Sequence, residues 1–138
     1  MGNIHPQLLT DSEGLGKFSL CHVRLSRDAN YPWLILIPNR DGIREVFELA
    51  WEDQVQLLRE SSHVSRVLTR IYKPDKLNIA ALGNIVPQLH VHHIVRYHND
   101  AAWPAPVWGR FPARTYQAEE WSRQIECLRT NLSSDCGW

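Results

Sequence analysis

The sequence predicts an α+β fold with an antiparallel sheet of about five strands, one long helix and a C-terminal helix. Short apolar segments typical of strands occur before and after the amphipathic segment 51–72, rather than alternating with helices, which favours antiparallel pairing. At 138 residues and 16.0 kDa, the chain is about one domain long. We therefore expect residues 1–138 to form a single domain.

The first half of the chain supplies a short helix and two strands. Residues 5–12 favour the helix, and residues 17–25, KFSLCHVRL, alternate loosely between apolar and polar side chains as a strand does. Residues 33–38, WLILIP, are a short run of mostly branched apolar side chains. Such a run is typical of a fully buried strand.

The long helix is predicted over residues 51–72, where apolar side chains recur at steps of three and four. One buried stripe would contain Trp51, Val55, Leu58, Val64, Val67, Leu68 and Ile71. Glu52 and Asp53 suit the positive end of the helix dipole, and Pro74 stops the helix.

The second half of the chain supplies two more strands and a final helix. Residues 76–82, KLNIAAL, and residues 88–97, QLHVHHIVRY, are predicted strands joined by the segment 83–87, GNIVP. Residues 117–132 are amphipathic and predict the C-terminal helix.

Composition excludes some partners and compartments. Lys plus Arg and Asp plus Glu number 15 each, so no long-range field attracts nucleic acid or an anionic membrane. No segment approaches the roughly 20 apolar residues of a membrane span. The cysteines Cys21, Cys127 and Cys136 are odd in number and lack metal-binding spacing, which favours reduced thiols. We expect a soluble cytoplasmic protein.

The strand 88–97 holds the most informative pattern. Because side chains alternate across a strand, one face presents polar groups about 6 to 7 Å apart, namely Gln88, His90, His92 and Arg96. The other face, with Leu89, Val91 and Val95, is mostly core, and His93 on it is expected to be a satisfied packing residue. The polar face has the spacing of a phosphate group and its bridging oxygens.

These side chains suit phosphoryl transfer. Neutral imidazole is a good nucleophile near pH 7, and a second histidine can protonate the departing oxygen. Arg96 and Gln88 can donate hydrogen bonds to phosphate oxygens. The strand therefore predicts a phosphoryl-transfer site.

The segment QLHVHHIVR, residues 88–96, resembles the motif of the histidine triad family. Arg96 lies four residues after His92, and the preceding GNIVPQ resembles the family's Gly-Gln-x-Val-x-His, so Gln88 falls at the first histidine position. The resemblance implies that His90 is the nucleophile, which forms a covalent nucleotidyl intermediate that water resolves. It also implies that His92 contacts the phosphate and supports the leaving group.

The same resemblance implies further contacts and a homodimer. Asn84 falls where the family often has a phosphate-binding Gln, and Asn78 resembles an upstream Asn one residue out of place. The segment 27–38 is similar to the region that holds the nucleoside, so Asp28 or Asn30 would bind ribose. The implied activity is a nucleotide hydrolase or nucleotidyl transferase acting at the α-phosphate of dinucleoside polyphosphates or nucleoside phosphoramidates, without a metal or cofactor.

Three positions depart from the family pattern. Gln88 replaces a triad histidine, which would alter leaving-group preference or weaken catalysis. His93 stands where an apolar residue is usual, and Val95 stands where Pro is common. A register shifted to make His92 the nucleophile would misplace Arg96.

Two other functions remain open from the residues. One is a nucleotide-binding protein with an impaired triad. The other is a metal-dependent hydrolase using His90 and His92, which needs a third ligand such as His98, His22 or Asp100. Trp103 and Trp108 would stack on a nucleobase, line a subunit interface or pack a proline-rich tail, and we favour the interface.

Overall fold

The structure is a computed structural model that describes residues 3–136, with side chains to residue 133. It contains one antiparallel five-stranded sheet with the strand order β1-β2-β3-β5-β4. In chain order the elements are α1 (Pro6–Asp11), β1 (Ser12–Lys17), β2 (Cys21–Ser26), β3 (Trp33–Pro38), a 3-10 turn (Val46–Glu48), α2 (Trp51–Tyr72), β4 (Lys76–Ala80), β5 (Val91–Arg96) and α3 (Ala118–Cys136). The predicted α+β class, its antiparallel sheet and its two main helices are confirmed.

The start of the sheet differs from the prediction of one strand over residues 17–25. That segment contains the end of β1 and most of β2. Two glycines in SEGLGK obscure the strand pattern of β1, and its register with β2 shifts between Gly14 and Gly16. This bulge leaves Leu15 buried.

The strand predicted over residues 88–97 begins later, at Val91. Its partner β4 ends at Ala80, which pairs with His92, so no strand lies beside the residues before Val91 on that edge. The N–H of Leu89 instead donates to the carbonyl of Ile43 over 2.9 Å. Residues 81–90 therefore form a loop that leads into β5.

The main core lies between one face of the sheet and the helices α2 and α3. β3 is buried over most of its length, as predicted for residues 33–38. Glu60 of α2 is also buried, and its carboxylate accepts the backbone N–H groups of Leu20 and Cys21, each over 2.9 Å. These bonds satisfy the buried carboxylate and fasten α2 to the β1–β2 turn.

Two residues of the predicted α2 stripe are not in the core, because the apolar pattern contains two stripes. Trp51 is 72% exposed and Leu58 is 67% exposed, whereas Leu57, Val64 and Val67 are buried. At about 100° per residue, the two sets lie on opposite faces of the helix. Within residues 3–136, no helix is both long and apolar enough to cross a bilayer.

Residues 100–116, which we call the strap, run across the other face of the sheet before α3 begins. The amide of Asn30 donates to the carbonyl of Pro112 over 3.0 Å, and the N–H of Ala29 donates to the carbonyl of Arg114 over 2.8 Å. Arg96 donates to the carbonyl of Ala105 over 2.9 Å. The strap thus covers part of the sheet face that carries the histidines.

Candidate functional site

A cleft of about 1280 Å³ lies on the sheet face opposite the main core. It runs from the start of β5 across β3 to the end of β2, and the strap and the start of α3 form its outer wall. Residues that line it include His90, His92, Asn84, Trp33, Ile35, Asp28, Trp108 and Tyr116. A cleft with mostly apolar walls and a few polar groups suits a small-molecule ligand.

His90 is oriented by the backbone two residues before it. Its Nδ1–H donates to the carbonyl oxygen of Gln88 over 2.6 Å. His90 is 5% exposed and lines the cleft, and within the described part of the chain its Nε2 has no hydrogen-bond partner. This tautomer leaves the Nε2 lone pair available to an electrophile.

His92 is held in the opposite tautomer by a tryptophan. The indole N–H of Trp33 donates to Nδ1 of His92 over 2.9 Å, so the ring proton of neutral His92 lies on Nε2, 3.3 Å from the carbonyl oxygen of Leu82. Burial, reinforced by the neighbouring ring of His90, lowers the pKa of His92 to about 4. His92 is therefore a neutral hydrogen-bond donor near pH 7.

Gly83 closes the space behind His90. A Cβ atom at Gly83 would lie 2.5 Å from the carbonyl oxygen of Val86 and 3.1 Å from Cε1 of His90. Only glycine fits without displacing the loop or the imidazole. The sequence motif contains this glycine, but the motif does not reveal its contact with the His90 ring.

A smaller, polar pocket also adjoins His90 and is lined by residues that include Gln88, Asn84 and Arg44. Asn84, the predicted phosphate ligand, lines both spaces. Sequence reasoning missed Arg44, because no local pattern connects it with residues 84–90. The backbone bond between Leu89 and Ile43 brings it there.

The side chain of Gln88 binds the N-terminal segment. Its Nε2 donates to the carbonyl of Asn3 over 3.0 Å, and its Oε1 accepts the N–H of His5 over 2.8 Å. We predicted that the amide would donate to a phosphate oxygen. The structure places it at the polar pocket but uses both its oxygen and its nitrogen to hold residues 3–5.

Arg96 and Asn78 lie outside the cleft, contrary to the expectation that they bind substrate. Arg96 is 1% exposed, and its guanidinium donates to both carboxylate oxygens of Asp100 and to Oδ1 of Asn78. Burial alone would raise the pKa of Asp100, but the bonds from Arg96 and backbone N–H groups lower it. The strap encloses this end of the histidine face, which strand alternation alone does not predict.

Of the two predicted ribose ligands, Asp28 lines the cleft. Its Oδ1 accepts the N–H of Asn30 over 2.9 Å and the N–H of Arg114 over 3.2 Å. Asn30 uses its side-chain amide to hold the carbonyl of Pro112. The structure therefore brings Asp28 to the same cleft as the histidines. Asn30 instead holds the strap in place through its hydrogen bond to Pro112.

Trp108 lines the cleft, and the expectation that it lines a subunit interface stays a prediction. Its ring meets His92 edge to face at 5.0 Å and Trp33 at 5.8 Å between centroids. Trp103 lies apart, packed on His98 at 4.8 Å and under the guanidinium of Arg96. The strap thus contributes an aromatic wall beside the third triad position.

His93 is a packing residue, as predicted. It is fully buried, its Nδ1–H donates to the carbonyl of Val91 over 3.1 Å, and its Nε2 accepts the hydroxyl of Ser61 over 2.7 Å. Burial lowers its pKa to about 4. The Ser61 bond joins α2 to β5 on the core side.

Among the side chains that the structure describes, no third metal ligand joins His90 and His92. Within the described side chains, no group of three His, Cys, Asp or Glu residues is close enough to hold a metal ion. Of the candidates, Asp100 pairs with Arg96 over 2.8 Å and His98 lies 3.6 Å from Asp75.

Comparison with known proteins agrees with this geometry. The HIT domain model matches residues 9–99, which contain the histidines, β1 to β5 and α2. The solved structure of a histidine triad protein from Marinobacter aquaeolei is 46% identical to this chain with a TM-score of 0.92, and the alignment covers 95% of this chain and 96% of that one. The structure of a histidine triad protein from Bradyrhizobium japonicum is 48% identical with a TM-score of 0.92, and the alignment covers 94% of this chain and 97% of that one.

A third, from Sinorhizobium meliloti, is 42% identical with a TM-score of 0.90 and covers 94% of this chain and 96% of that one. No curated protein matches the chain. The strap and α3 lie beyond the matched domain, yet the three solved structures extend over them at high coverage. On the family model and these structures together, the chain belongs to the histidine triad (HIT) family.

Proposed function

We propose that this protein is a nucleotide hydrolase or nucleotidyl transferase that acts at the α-phosphate of dinucleoside polyphosphates or nucleoside phosphoramidates. Proteins of the HIT family are commonly hydrolases or transferases. The observation that carries the proposal is the bond from Nδ1–H of His90 to the carbonyl of Gln88, because it leaves a lone pair on Nε2 in the cleft. An oriented neutral imidazole is the nucleophile that covalent nucleotidyl transfer requires.

The reaction would proceed in two displacements. Nε2 of His90 attacks the α-phosphorus, the phosphorus–nitrogen bond forms, and the bond to the leaving group breaks. The positive charge that develops on the His90 ring is stabilised by its Nδ1–H bond to Gln88. Water, or another acceptor in a transferase, then attacks the phosphorus and releases His90. Positioning of the reactants and electrostatic stabilisation of the transition state supply most of the rate acceleration in such reactions.

The two spaces beside His90 suit the two chemical parts of a nucleotide. The apolar cleft over Trp33 and Ile35 would hold the nucleobase, with Asp28 accepting a ribose hydroxyl. Asn84 and Arg44 would face the phosphates in the polar pocket. In this arrangement Gln88 takes the first triad position. The Nε2–H of His92, which lies 3.3 Å from the carbonyl oxygen of Leu82, would donate to the phosphoryl group instead.

Intact-protein mass spectrometry tests the covalent step. Wild type, His90→Ala and the control His98→Ala are mixed with a panel of dinucleoside polyphosphates and nucleoside phosphoramidates and quenched without acid. We expect a nucleotidyl adduct on wild type and on His98→Ala, whose side chain is 71% exposed outside the cleft, but none on His90→Ala. An adduct that survives in His90→Ala would overturn the mechanism.

A second candidate is a nucleotide-binding protein with little turnover. The bonds of Gln88 to residues 3 and 5 favour it, because they divert the first triad position from substrate. This function predicts nucleotide binding by calorimetry without an adduct and without released nucleotide.

We also propose that the chain forms a homodimer, as HIT enzymes of this size commonly do. The exposed stripe of α2 supports this proposal: Trp51 and Leu58 share a helix face, and Phe47, 78% exposed, precedes them in the 3-10 turn. Large apolar side chains adjacent on one surface are typical of protein interfaces.

A further inference from the structure

The leaving group of a nucleotidyl transfer sets a specific demand on the site. A departing amine or alkoxide is strongly basic and must receive a proton as its bond to phosphorus breaks. A departing phosphate leaves as a stable anion and needs only charge stabilisation. The structure shows which of these the groups around His90 can serve.

Gln88 cannot act as the general acid that protonates a leaving group. A carboxamide has no proton that it can transfer near pH 7. Its nitrogen and oxygen are also committed to Asn3 and His5, over 3.0 and 2.8 Å. The position at which the family pattern has a histidine is therefore occupied by a group that only orients the chain.

His92 cannot act as this general acid either. Its Nδ1 accepts the indole N–H of Trp33 over 2.9 Å, so it cannot also carry a proton there. The ring is 6% exposed, and burial lowers its pKa to about 4, so the imidazolium form that would donate is scarce at pH 7. His92 can donate a hydrogen bond through Nε2 but keeps the proton.

The remaining titratable groups that line the two spaces are distant from His90, cationic or, in the case of Glu45, exposed to solvent. Asp11, Asp28 and Tyr116 line the part of the cleft built by α1, the end of β2 and the strap. Burial raises the pKa of Tyr116 to about 12. The polar pocket holds the exposed Glu45 and the guanidinium of Arg44, which stabilises negative charge without giving up a proton.

We infer that the site is selective for phosphoanhydrides, in which the α-phosphate is bonded to a further phosphate, over phosphoramidates and alkyl or unactivated aryl esters. This inference rests on the proposed function and narrows its substrate class. Polyphosphate-type nucleotides meet the requirement because their leaving group is anionic and weakly basic. Arg44 and Asn84 supply the donors that such an anion needs.

The first step balances without an external proton. The lone pair of His90 Nε2 forms the bond to phosphorus, and the electron pair of the broken phosphorus–oxygen bond leaves with the phosphate chain that was attached to the α-phosphate. The Nδ1 proton stays on His90, hydrogen-bonded to Gln88. Water then displaces the imidazole and gives its proton to the solvent.

A series of adenylyl compounds that differ only in the leaving group tests this inference. Initial rates are measured for the 4-nitrophenyl ester, the phenyl ester and the phosphoramidate of adenosine 5′-monophosphate, with wild type, Gln88→His and Gln88→Met. Because general acid catalysis contributes about 100-fold or more, we expect wild type to favour the nitrophenyl ester over the phenyl ester by at least roughly that factor. Gln88→His should reduce this ratio, whereas Gln88→Met, which also loses the bonds to residues 3 and 5, should not.

The outcomes separate the inference from the function on which it rests. Absence of turnover and of a covalent adduct with the nitrophenyl ester would overturn the proposed function. Turnover of all three compounds at similar rates would support the proposed function and contradict the inferred selectivity for weakly basic leaving groups. A selective loss of phenyl ester turnover in Glu45→Gln would also contradict the inference, because it would identify Glu45 as the acid.

Discussion

Trp33 and His92 lie on neighbouring strands and are joined by a hydrogen bond of 2.9 Å from the indole N–H to Nδ1. Their rings also meet edge to face at 5.5 Å. One side chain thus sets both the tautomer and the tilt of the second histidine. Trp33, which the sequence predicts only as part of a buried strand, therefore belongs to the candidate site.

Trp33→Phe keeps a ring in place but removes the N–H donor. We expect adenylyl transfer to fall roughly five- to tenfold, the value of one hydrogen bond of about 1 kcal/mol, with little loss of stability. Trp108→Phe is the matched control, since the ring of Trp108 contacts His92 without a hydrogen bond from its indole in the described structure. Nitrogen NMR of the His92 ring checks the cause: the tautomer should change in Trp33→Phe alone.

Gly83→Ala should lower the rate by about tenfold or more while the protein stays folded. The added methyl group meets the carbonyl of Val86 and the ring of His90, so the loop or the nucleophile must move. Gly14→Ala is the control, because its Cβ meets the end of the flexible Arg24 side chain at 3.2 Å. Equal rates for Gly83→Ala and wild type would show that the loop adapts without cost.

Asp100→Asn should reduce stability without changing the KM for nucleotide. Asp100 is the partner of the buried Arg96, and breaking a buried ion pair leaves an uncompensated charge at a cost of about 3 kcal/mol. Urea denaturation measures the loss. Asp75→Asn, which alters an exposed pair with His98, should show almost none. A raised KM for nucleotide in Asp100→Asn would show that the Arg96–Asp100 pair contributes to substrate binding.

The free energy of unfolding should decrease as the pH falls from about 6.5 towards 4. Burial lowers the pKa values of His92 and His93 to about 4 in the folded protein, so in this range the unfolded chain binds protons that the folded one does not. The slope should be about 1.4 kcal/mol per pH unit for each histidine. His93→Gln should flatten it by about half. A stability independent of pH here would contradict the lowered pKa values of both rings in the folded protein.

Wild type should migrate with twice the 16.0 kDa mass of one chain, and the double variant Trp51→Glu, Leu58→Glu should migrate as a monomer. Charged side chains on the exposed stripe of α2 cannot be buried against a second copy without a large desolvation cost. Light scattering coupled to gel filtration measures the mass. Phe111→Glu, an equally apolar but separate surface residue that is 54% exposed, should leave the dimer intact.

The elements that sequence reasoning located are those with a regular pattern. α2 carries helical periodicity between an acidic first turn and Pro74, and β3 is a continuous apolar run, so both have the predicted bounds. β1 was missed because its glycines and bulge remove the alternation. The stripe of α2 was assigned too broadly because an exposed apolar face obeys the same spacing as a buried one.

The site was predictable only where its residues are close in the chain. The spacing along the strand predicted that His90 and His92 lie together. It also predicted Arg96 on the same face, but it could not show that the strap covers Arg96. Trp33, Arg44 and Trp108 approach the histidines through strand pairing, a loop contact and the strap. Such long-range contacts leave no local signal in the sequence.

The bonds of Gln88 to the N-terminal segment have a consequence for how the protein is made. They span 83 and 85 positions, and Asp28 contacts Arg114 86 positions later. A growing chain therefore has no finished cleft when His90 leaves the ribosome, since the strap that follows it is still inside the exit tunnel. A nascent or proteolytically clipped fragment should hold the nucleophile in an unformed pocket, so that reaction with nucleotides begins only once nearly the whole chain has folded.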